Sequence, residues 1–250
     1  MAEQQAAGSA GRGYRVLLLG AYAAWFALVS LGALQDFFAA ELPRKIWMLD
    51  LDSEDSVYTW LSQLVLALCS LALFDIGVRA QSASKMVRSY WFLLSAAFLV
   101  LSMDEMLSFH EKLNFAMAAV MTHTGYFYLP WVLPALAVCL IGLVACVPFV
   151  RRLPKTVAAL FLISGAIYIS GAVGMEMIAG HILSDNGGFE GAPPIYRLEV
   201  AIEEGLEGLG ALLFLTTLVL NKARLIEPSL SSVAKPWRPS IIKPAHNIAA

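Results

Sequence analysis

Long runs of apolar residues alternate along this chain with short polar segments. Each run is about 20 residues or longer, which is the length that a helix needs to cross about 30 Å of hydrocarbon. The pattern predicts an all-α fold, a polytopic membrane helical bundle with six transmembrane helices. The predicted helices cover residues 14–38, 56–78, 89–113, 127–150, 156–183 and 194–221.

Lysine and arginine residues predict how these helices are oriented. Most of them lie before the first predicted helix, between the second and third, between the fourth and fifth, and after the sixth. They are Arg12, Arg15, Arg79, Lys85, Arg88, Arg151, Arg152, Lys155, Lys222 and Arg224. Because basic flanking segments stay in the cytoplasm, an N-in/C-in topology with both termini cytoplasmic is expected. The expected location is a cell membrane, the inner (plasma) membrane of a bacterium.

The two ends of the chain differ from the membrane domain, which is predicted to span residues 14–224. Residues 1–13 are small and polar, and they are expected to form a disordered cytoplasmic tail. Residues 225–250 contain four prolines and cannot form a continuous helix, so a proline-rich cytoplasmic tail is expected there.

The composition supports a membrane protein and excludes several other classes. Hydrophobic residues make up 59% of the chain and charged residues 14%, whereas a soluble domain has about 25% charged residues. The net charge of −2 leaves no basic domain to neutralise phosphates, so no nucleic-acid partner is expected. Cys69, Cys139 and Cys146 lie inside apolar runs without CxxC spacing, which argues against disulfides and a thiolate metal site.

Acidic side chains interrupt three predicted helices at similar depths. Counting about 1.5 Å per residue from the basic flanks, Asp104 and Glu105 of the third helix lie about 24–26 Å up. On the same scale Glu176 of the fifth helix lies about 31 Å up, and Glu203 and Glu204 of the sixth about 27–28 Å. An ionisable side chain at the centre of a span costs about 2.5–3.5 kcal/mol. The coincidence therefore predicts one shared polar site in the outer half of the bilayer.

A divalent metal ion, which we expect to be iron, zinc or manganese, would neutralise such a cluster through imidazole and carboxylate ligands. The predicted metal ligands are Asp104, His110, Glu111, Glu176, His181, Glu199, Glu203 and Glu207. Glu105 and Glu204 are the predicted catalytic residues, because buried carboxyl groups beside a metal suit general acid–base catalysis.

In ligand chemistry alone, this set resembles the di-iron and di-manganese centres of helical bundles, which use Glu-x-x-His on two helices. Here Ser108 comes three residues after Glu105, and Gly210 comes three residues after Glu207, so that spacing is absent. The function expected from the residues is a metal-dependent membrane enzyme, a hydrolase or an oxidoreductase. Its substrate would be a lipid or another hydrophobic molecule that enters from the surrounding membrane lipids.

Two other functions fit the same residues. The acids could share protons in a proton- or cation-coupled transporter, although the inner halves of the helices offer few ionisable groups. The glycine-rich fifth and sixth helices could instead pack against a membrane-protein partner, which would make the chain a non-catalytic subunit of a larger complex.

Individual side chains also have simpler explanations. Glu111, Glu199 and His181 lie near the predicted headgroup level, where charges cost little, and the deeper acids could form hydrogen bonds that fix the helix register. His110 and His181 could be the two axial ligands of a haem. Between the first two helices, the spacing Asp50-x-Asp52-x-Glu54 resembles the start of a calcium loop but lacks its glycine and terminal glutamate. A cap from Ser53 or Ser56 explains much of that stretch.

Overall fold

Helices form all the regular secondary structure that the computed structural model describes, over residues 2–38 and 44–227. The α-helices are α1 (Ala2–Phe37), α2 (Val57–Arg79), α3 (Lys85–Leu107), α4 (Phe109–Ala118), α5 (Val132–Val150), α6 (Lys155–Ile169), α7 (Glu176–Asp185) and α8 (Pro194–Ile226). A π-helical segment, Ser170–Met175, joins α6 to α7. Single 3-10 turns occur at Trp47–Leu49, Gly125–Phe127 and Phe189–Gly191.

Within the described residues, six helical spans are long and apolar enough to cross a membrane, as the sequence predicts, whereas their insertion in a membrane stays a prediction. They are Arg12–Phe37, Val57–Arg79, Lys85–Leu107, Val132–Val150, Lys155–Asp185 and Pro194–Ile226. The all-α fold of the described residues is confirmed as well, whereas the N-in/C-in topology stays a prediction.

The N-terminal end of the chain is helical where the sequence predicts a disordered tail. Helix α1 begins at Ala2, so it runs through most of the segment for which the sequence predicts a disordered tail. The Ala, Glu and Gln residues of this segment favour a helix, although the apolar span begins only at Arg12. Helix α8 ends at Ile226, and the proline-rich tail predicted for 225–250 lies outside the described residues from 228 onward.

Helix α8 lies at the centre of the bundle and contacts α1, α2, α6 and the π-helical segment. Glycines allow this close approach, because a side chain on either helix would meet backbone. A Cβ on Gly210 would lie 2.6 Å from the Tyr168 nitrogen of α6, and one on Gly171 would lie 2.8 Å from the Glu203 carbonyl oxygen. These glycines of the fifth and sixth predicted helices pack inside the chain, and a partner protein on those helices stays a prediction.

The basic residues at one end of the bundle are brought together by the antiparallel packing. We call this the basic end; it is the end where Arg79, Lys85, Arg152 and Lys222 lie. Asp75 accepts a hydrogen bond from Arg79 (2.6 Å) and lies 2.6 Å from the Lys222 Nζ, so it ties α2 to α8. Asp75 and Arg79 lie one turn apart on α2, so this pair also stabilises the end of that helix.

A dense apolar core fills the half of the bundle next to the basic end. Trp91 packs edge-on against Phe149 and Phe161, and Phe161 packs against Phe214. Fully buried Leu66, Leu73 and other aliphatic residues of α2 and α8 complete the cluster. The opposite half of the bundle carries the acidic residues of its interior, so polar and apolar interiors are separated along the helix axes.

Candidate functional site

The third predicted helix is not continuous, because it breaks at Ser108. Ser108 lies in the left-handed region, with φ 48° and ψ 49°, so α3 ends at Leu107 and α4 starts in a new direction. The Lys112 side chain donates a hydrogen bond to the Leu107 carbonyl, where a cation suits the helix C-terminus. His110 and Glu111 therefore lie in the first turn of α4 and not on a straight extension of α3.

Asp104, one turn before the break, fixes the start of α4 and the ring of His110. Its Oδ1 accepts a hydrogen bond from the His110 backbone N–H (2.9 Å), and its Oδ2 lies 2.9 Å from His110 Nδ1. Burial alone would lower the pKa of His110, but the hydrogen bond and charge of Asp104 raise it from 6.5 to about 9. With Nδ1 held by Asp104, Nε2 is the ring nitrogen left for another partner.

The left-handed backbone at Ser108 makes a direct prediction about stability. A non-glycine residue held there costs about 1–3 kcal/mol, and a β-branched residue is especially disfavoured. We expect Ser108→Gly to fold as stably as the wild type or more so, and Ser108→Val to lose about 1–3 kcal/mol of unfolding free energy. Thermal unfolding of the detergent-purified variants measures this. Equal stability of the Gly and Val variants would show that α3 and α4 form one straight helix.

A cavity of about 550 Å³ opens between α3, α4, α5, α8 and the π-helical segment. We call it the acid cavity, because nine carboxylates and one imidazole line it and its described lining contains no lysine or arginine. These residues are Asp52, Glu54, Asp104, Glu105, His110, Glu111, Glu176, Glu203, Glu204 and Glu207. Like charges at such density repel one another, so the acid cavity favours a bound cation.

Three side chains that line the acid cavity could together hold a metal ion. One ligand atom each from Glu54, His110 and Glu111 lies within 4.8 Å of the other two. An imidazole with two carboxylates suits zinc, iron or manganese. His110 and Glu111 belong to the predicted ligand set, whereas Glu54 does not. Asp104 takes a different position from the predicted one, because it contacts the His110 ring from behind.

The loop that carries Glu54 is held in place by ion pairs and a helix cap. Lys45 lies 3.3 Å from Asp36 and 2.6 Å from Asp50, which fixes the loop against the end of α1. Ser56 then caps α2 by accepting a hydrogen bond from the Thr59 N–H (3.1 Å), as the sequence predicts. Burial raises the pKa of Glu54 from 4.5 to about 7, because this anchored loop turns its carboxyl toward the interior.

The π-helical segment and α8 form the deep wall of the acid cavity. Gly171 lets the segment approach the α8 backbone at Glu203 and Glu207, so these two carboxylates lie one turn apart along one wall. At the end of the segment Glu176 lies beside the Trp131 indole, and its Oε2 is buried without a hydrogen-bond partner among the described residues. Single π-helical turns within α-helices often mark functional sites, and this one turns Glu176 into the cavity.

Comparison with known proteins assigns the chain to a family. The model of the family described as Domain of unknown function (DUF8692) matches residues 14–221. The chain belongs to this family. No curated protein and no solved structure matches the chain. The matched region of the DUF8692 family includes every residue that lines the acid cavity, from Leu51 to Glu207, so the cavity lies wholly within the family's domain.

Within this DUF8692 domain, the acid cavity brings together eight of the ten predicted site residues. The predicted catalytic residues Glu105 and Glu204 both line it, and Glu105 lies near Glu54 and His110. The catalytic roles of Glu105 and Glu204 stay predictions, whereas the structure shows that both side chains line the same cavity. Six predicted metal ligands share that space: Asp104, His110, Glu111, Glu176, Glu203 and Glu207.

The other two predicted ligands do not line the acid cavity. His181 packs against Tyr126 with the rings tilted and their centroids 4.6 Å apart, and its Nδ1 lies 3.5 Å from Asp185. It follows Glu176 by five residues, about 140° around the helix, so the two point in different directions. Glu199 is only 3% exposed and lies one turn nearer the start of α8 than Glu203. His110 packs near Trp131 whereas His181 packs near Tyr126, and a haem between the two histidines stays a prediction.

The loop between α1 and α2 contributes two carboxylates that are not among the predicted site residues. Asp52 and Glu54 both line the acid cavity, and Tyr196 of α8 donates a hydrogen bond to Asp52 (3.4 Å). The alternating acids Asp50, Asp52 and Glu54 indicate a polar site, but their spacing most resembles the start of a calcium loop. The structure separates these carboxylates, since Asp50 pairs with Lys45 while Glu54 turns toward His110.

The remaining wall of the acid cavity is apolar and faces the periphery of the bundle. It includes Leu101 of α3, Phe109 and Leu113 of α4, and Val138 and Cys139 of α5. Helix α5 makes few contacts with the rest of the bundle, and its outward residues are exposed. Carboxylates at one side and an apolar slot at the other therefore make the cavity amphiphilic.

Proposed function

We propose that this protein is a metal-dependent membrane enzyme that acts on a lipid or another hydrophobic substrate. The observation that carries the proposal is the approach of Glu54, His110 and Glu111 to within 4.8 Å at the mouth of a cavity rich in further carboxylates. The donor set fits a divalent metal ion, with iron, zinc and manganese as the candidates. Asp104 supports the fit, because a carboxylate behind a histidine is the usual arrangement around metal-bound imidazole.

The chemistry divides between the metal ion and the protein. A divalent ion held by Glu54, His110 and Glu111 would supply Lewis-acid activation of a water molecule or of a substrate oxygen. Asp104 holds the His110 ring so that Nε2 points away from it, which fixes one ligand before the ion arrives. Glu105, beside Glu54 and His110, takes or gives a proton, and Glu204 behind it passes that proton on.

The apolar wall supports a hydrophobic substrate. A substrate tail can lie between α3 and α5, along Leu101, Val138 and Cys139, while its polar part reaches the carboxylates. The volume of about 550 Å³ falls within the range of about 300–1,000 Å³ that small-molecule sites occupy. We infer that the substrate enters sideways from the membrane lipids.

The proposed topology places the acid cavity on the extracytoplasmic side of a bacterial inner membrane, with both termini cytoplasmic. The uneven distribution of lysine and arginine between the two ends supports this orientation. Asp52 and Glu54 then lie in an extracytoplasmic loop, and the basic end faces the cytoplasm.

Transport and a purely structural role are the alternatives to this function. A cation transporter needs a polar path through the bundle, and the dense core around Leu66, Trp91 and Phe149 separates the acid cavity from the basic end. A non-catalytic subunit needs a partner surface, and Gly171 and Gly210 are already used inside the chain. Both observations favour the enzyme.

Elemental analysis of the detergent-purified protein, followed by incubation with phospholipid vesicles, tests the proposal. We expect about one divalent ion per chain and lipid products detectable by mass spectrometry. Glu105→Gln and Glu204→Gln should keep the ion but lower turnover by about 10²–10⁴-fold, as expected for loss of a general acid or base.

Glu190→Gln is the matched control, since Glu190 is exposed and does not itself line the acid cavity. Protein without stoichiometric metal, or with activity that survives chelation, would contradict the metal-dependent enzyme. Bound metal with cation uptake into liposomes and no lipid product would instead identify a transporter.

A further inference from the structure

A second cavity lies at the basic end of the bundle, on the far side of the apolar core from the acid cavity. Its volume is about 300 Å³. Its walls come from the start of α3, the turn between α5 and α6, and the last turns of α8. The residues that line it include Ser84, Val87, Trp91, Arg152, Pro154 and Arg224.

Two helices begin at this cavity. Helix α3 starts at Lys85 and is capped by Ser84, whose Oγ accepts a hydrogen bond from the Val87 N–H. Helix α6 starts at Lys155 after Pro154, which offers no side-chain cap. The first N–H groups of a helix carry partial positive charge and bind anions readily, so both helix ends make the cavity favourable for a negative group.

Two arginines add full positive charge. The guanidinium groups of Arg152 and Arg224 have no acidic partner among the described residues, unlike Arg79 and Arg197, which pair with Asp75 and Asp36. A guanidinium group matches the geometry of a phosphate through paired N–H donors.

Trp91 provides an independent observation that points to a ligand. The residue is only 1% exposed and forms part of the cavity wall. Its indole N–H has no acceptor among the described residues. A buried donor without a partner is costly, and the residue that carries it lies in the wall of this cavity.

We propose that this cavity binds a phosphate group. Helix ends of a membrane bundle lie near the headgroups, and basic pockets between such helices bind anionic lipids. The apolar residues Val87, Leu153 and Leu225 at the walls would contact the start of a lipid chain. A phospholipid headgroup and a soluble phosphate compound present the same group, and competition distinguishes them. The proposal goes beyond the proposed enzyme function and does not depend on the metal site.

Native mass spectrometry of the delipidated full-length chain in detergent tests this site. We expect phosphatidylglycerol to bind at least about tenfold more tightly than phosphatidylcholine, because neutral headgroups lack the net charge that the arginines attract. An Arg152→Gln/Arg224→Gln double variant should weaken phosphatidylglycerol binding by about tenfold or more, since hydrogen bonds to charged groups are the strong ones. Trp91→Phe keeps the ring against Phe149 but removes the donor, and should weaken binding several-fold.

Arg151→Gln is the matched control, because Arg151 is adjacent and basic but does not line the cavity. Displacement of the lipid by millimolar inorganic phosphate would identify a soluble phosphate compound as the ligand, and resistance to it would identify the lipid headgroup. The proposal is overturned if the double variant binds phosphatidylglycerol as the wild type does, or no more weakly than Arg151→Gln.

Discussion

Replacing His110 with alanine is expected to leave the purified protein without the proposed metal ion. His110 contributes the only imidazole within the group of Glu54, His110 and Glu111, and two carboxylates alone hold zinc or iron weakly. Removing the outer partner of a metal ligand typically costs about 10–100-fold in affinity, so losing the ligand itself should cost more than about 100-fold. Elemental analysis after gel filtration in detergent measures the loss.

His181→Ala is the matched control for His110→Ala. Both histidines are predicted ligands, but His181 lies against Tyr126 and Asp185 outside the acid cavity. The His181 variant should therefore keep its metal ion. Equal loss from both variants would mean that the metal lies elsewhere or that the fold depends on any histidine at these positions.

The Asp104→Asn variant tests whether Asp104 positions the His110 ring or binds the metal ion directly. The amide oxygen can still accept the hydrogen bond from the His110 backbone N–H that Asp104 now accepts, so α4 should keep its start. The ring loses its charged partner on Nδ1, and metal affinity should fall by about 10–100-fold. A loss as large as that of His110→Ala would instead identify Asp104 as a direct ligand, as the sequence predicts.

The convergence of the acids could be predicted because membrane energetics restrict where ionisable groups can lie. Glu105, Glu176 and Glu203 interrupt apolar helices, and each is expensive unless it faces a polar interior. Counting residues from the basic flanks was enough to place them at one level. The helical period then set Glu203 and Glu207 on one wall of the acid cavity.

The break at Ser108 could not be predicted, because the sequence around it carries no glycine or proline. Ser108 adopts a left-handed conformation that packing and the capping by Asp104 impose on it. A continuous helix would direct Asp104, His110 and Glu105 to different sides. The break brings His110 to Asp104, so the geometry of the site depends on Ser108, where the predicted helix is interrupted.

Glu54 was missed because loop positions depend on contacts between distant parts of the chain. Its loop is fixed by Lys45, which bridges Asp36 and Asp50, and no periodic pattern encodes such a bridge. His181, by contrast, is a predicted ligand that does not line the acid cavity. Depth placed it near the acids, but the π-helical segment and the helical period decide which side of α7 it faces.

The close contact between α6 and α8 leads to the second large effect, which concerns folding. Gly210→Ala places a Cβ 2.6–2.8 Å from the backbone nitrogen and Cα of Tyr168, where no side chain can move aside. Overpacking of this kind typically costs about 1–3 kcal/mol and occasionally more. Gly165→Ala on α6 is the matched control, because nothing lies within 4 Å of its Cβ, and a helical Gly→Ala change should stabilise by up to about 1 kcal/mol.

Thermal unfolding in detergent should therefore rank Gly165→Ala at or above the wild type, and Gly210→Ala well below it. The same displacement would move α8 away from the π-helical segment, where Gly171 contacts Glu203 and Glu207. Any Gly210→Ala protein that folds should thus bind metal more weakly than Gly165→Ala, although neither glycine lines the acid cavity. Equal stability of the two variants would mean that α6 and α8 lie further apart than in the structure. The close packing of the π-helical segment against α8, which forms the deep wall of the acid cavity, would then be contradicted as well.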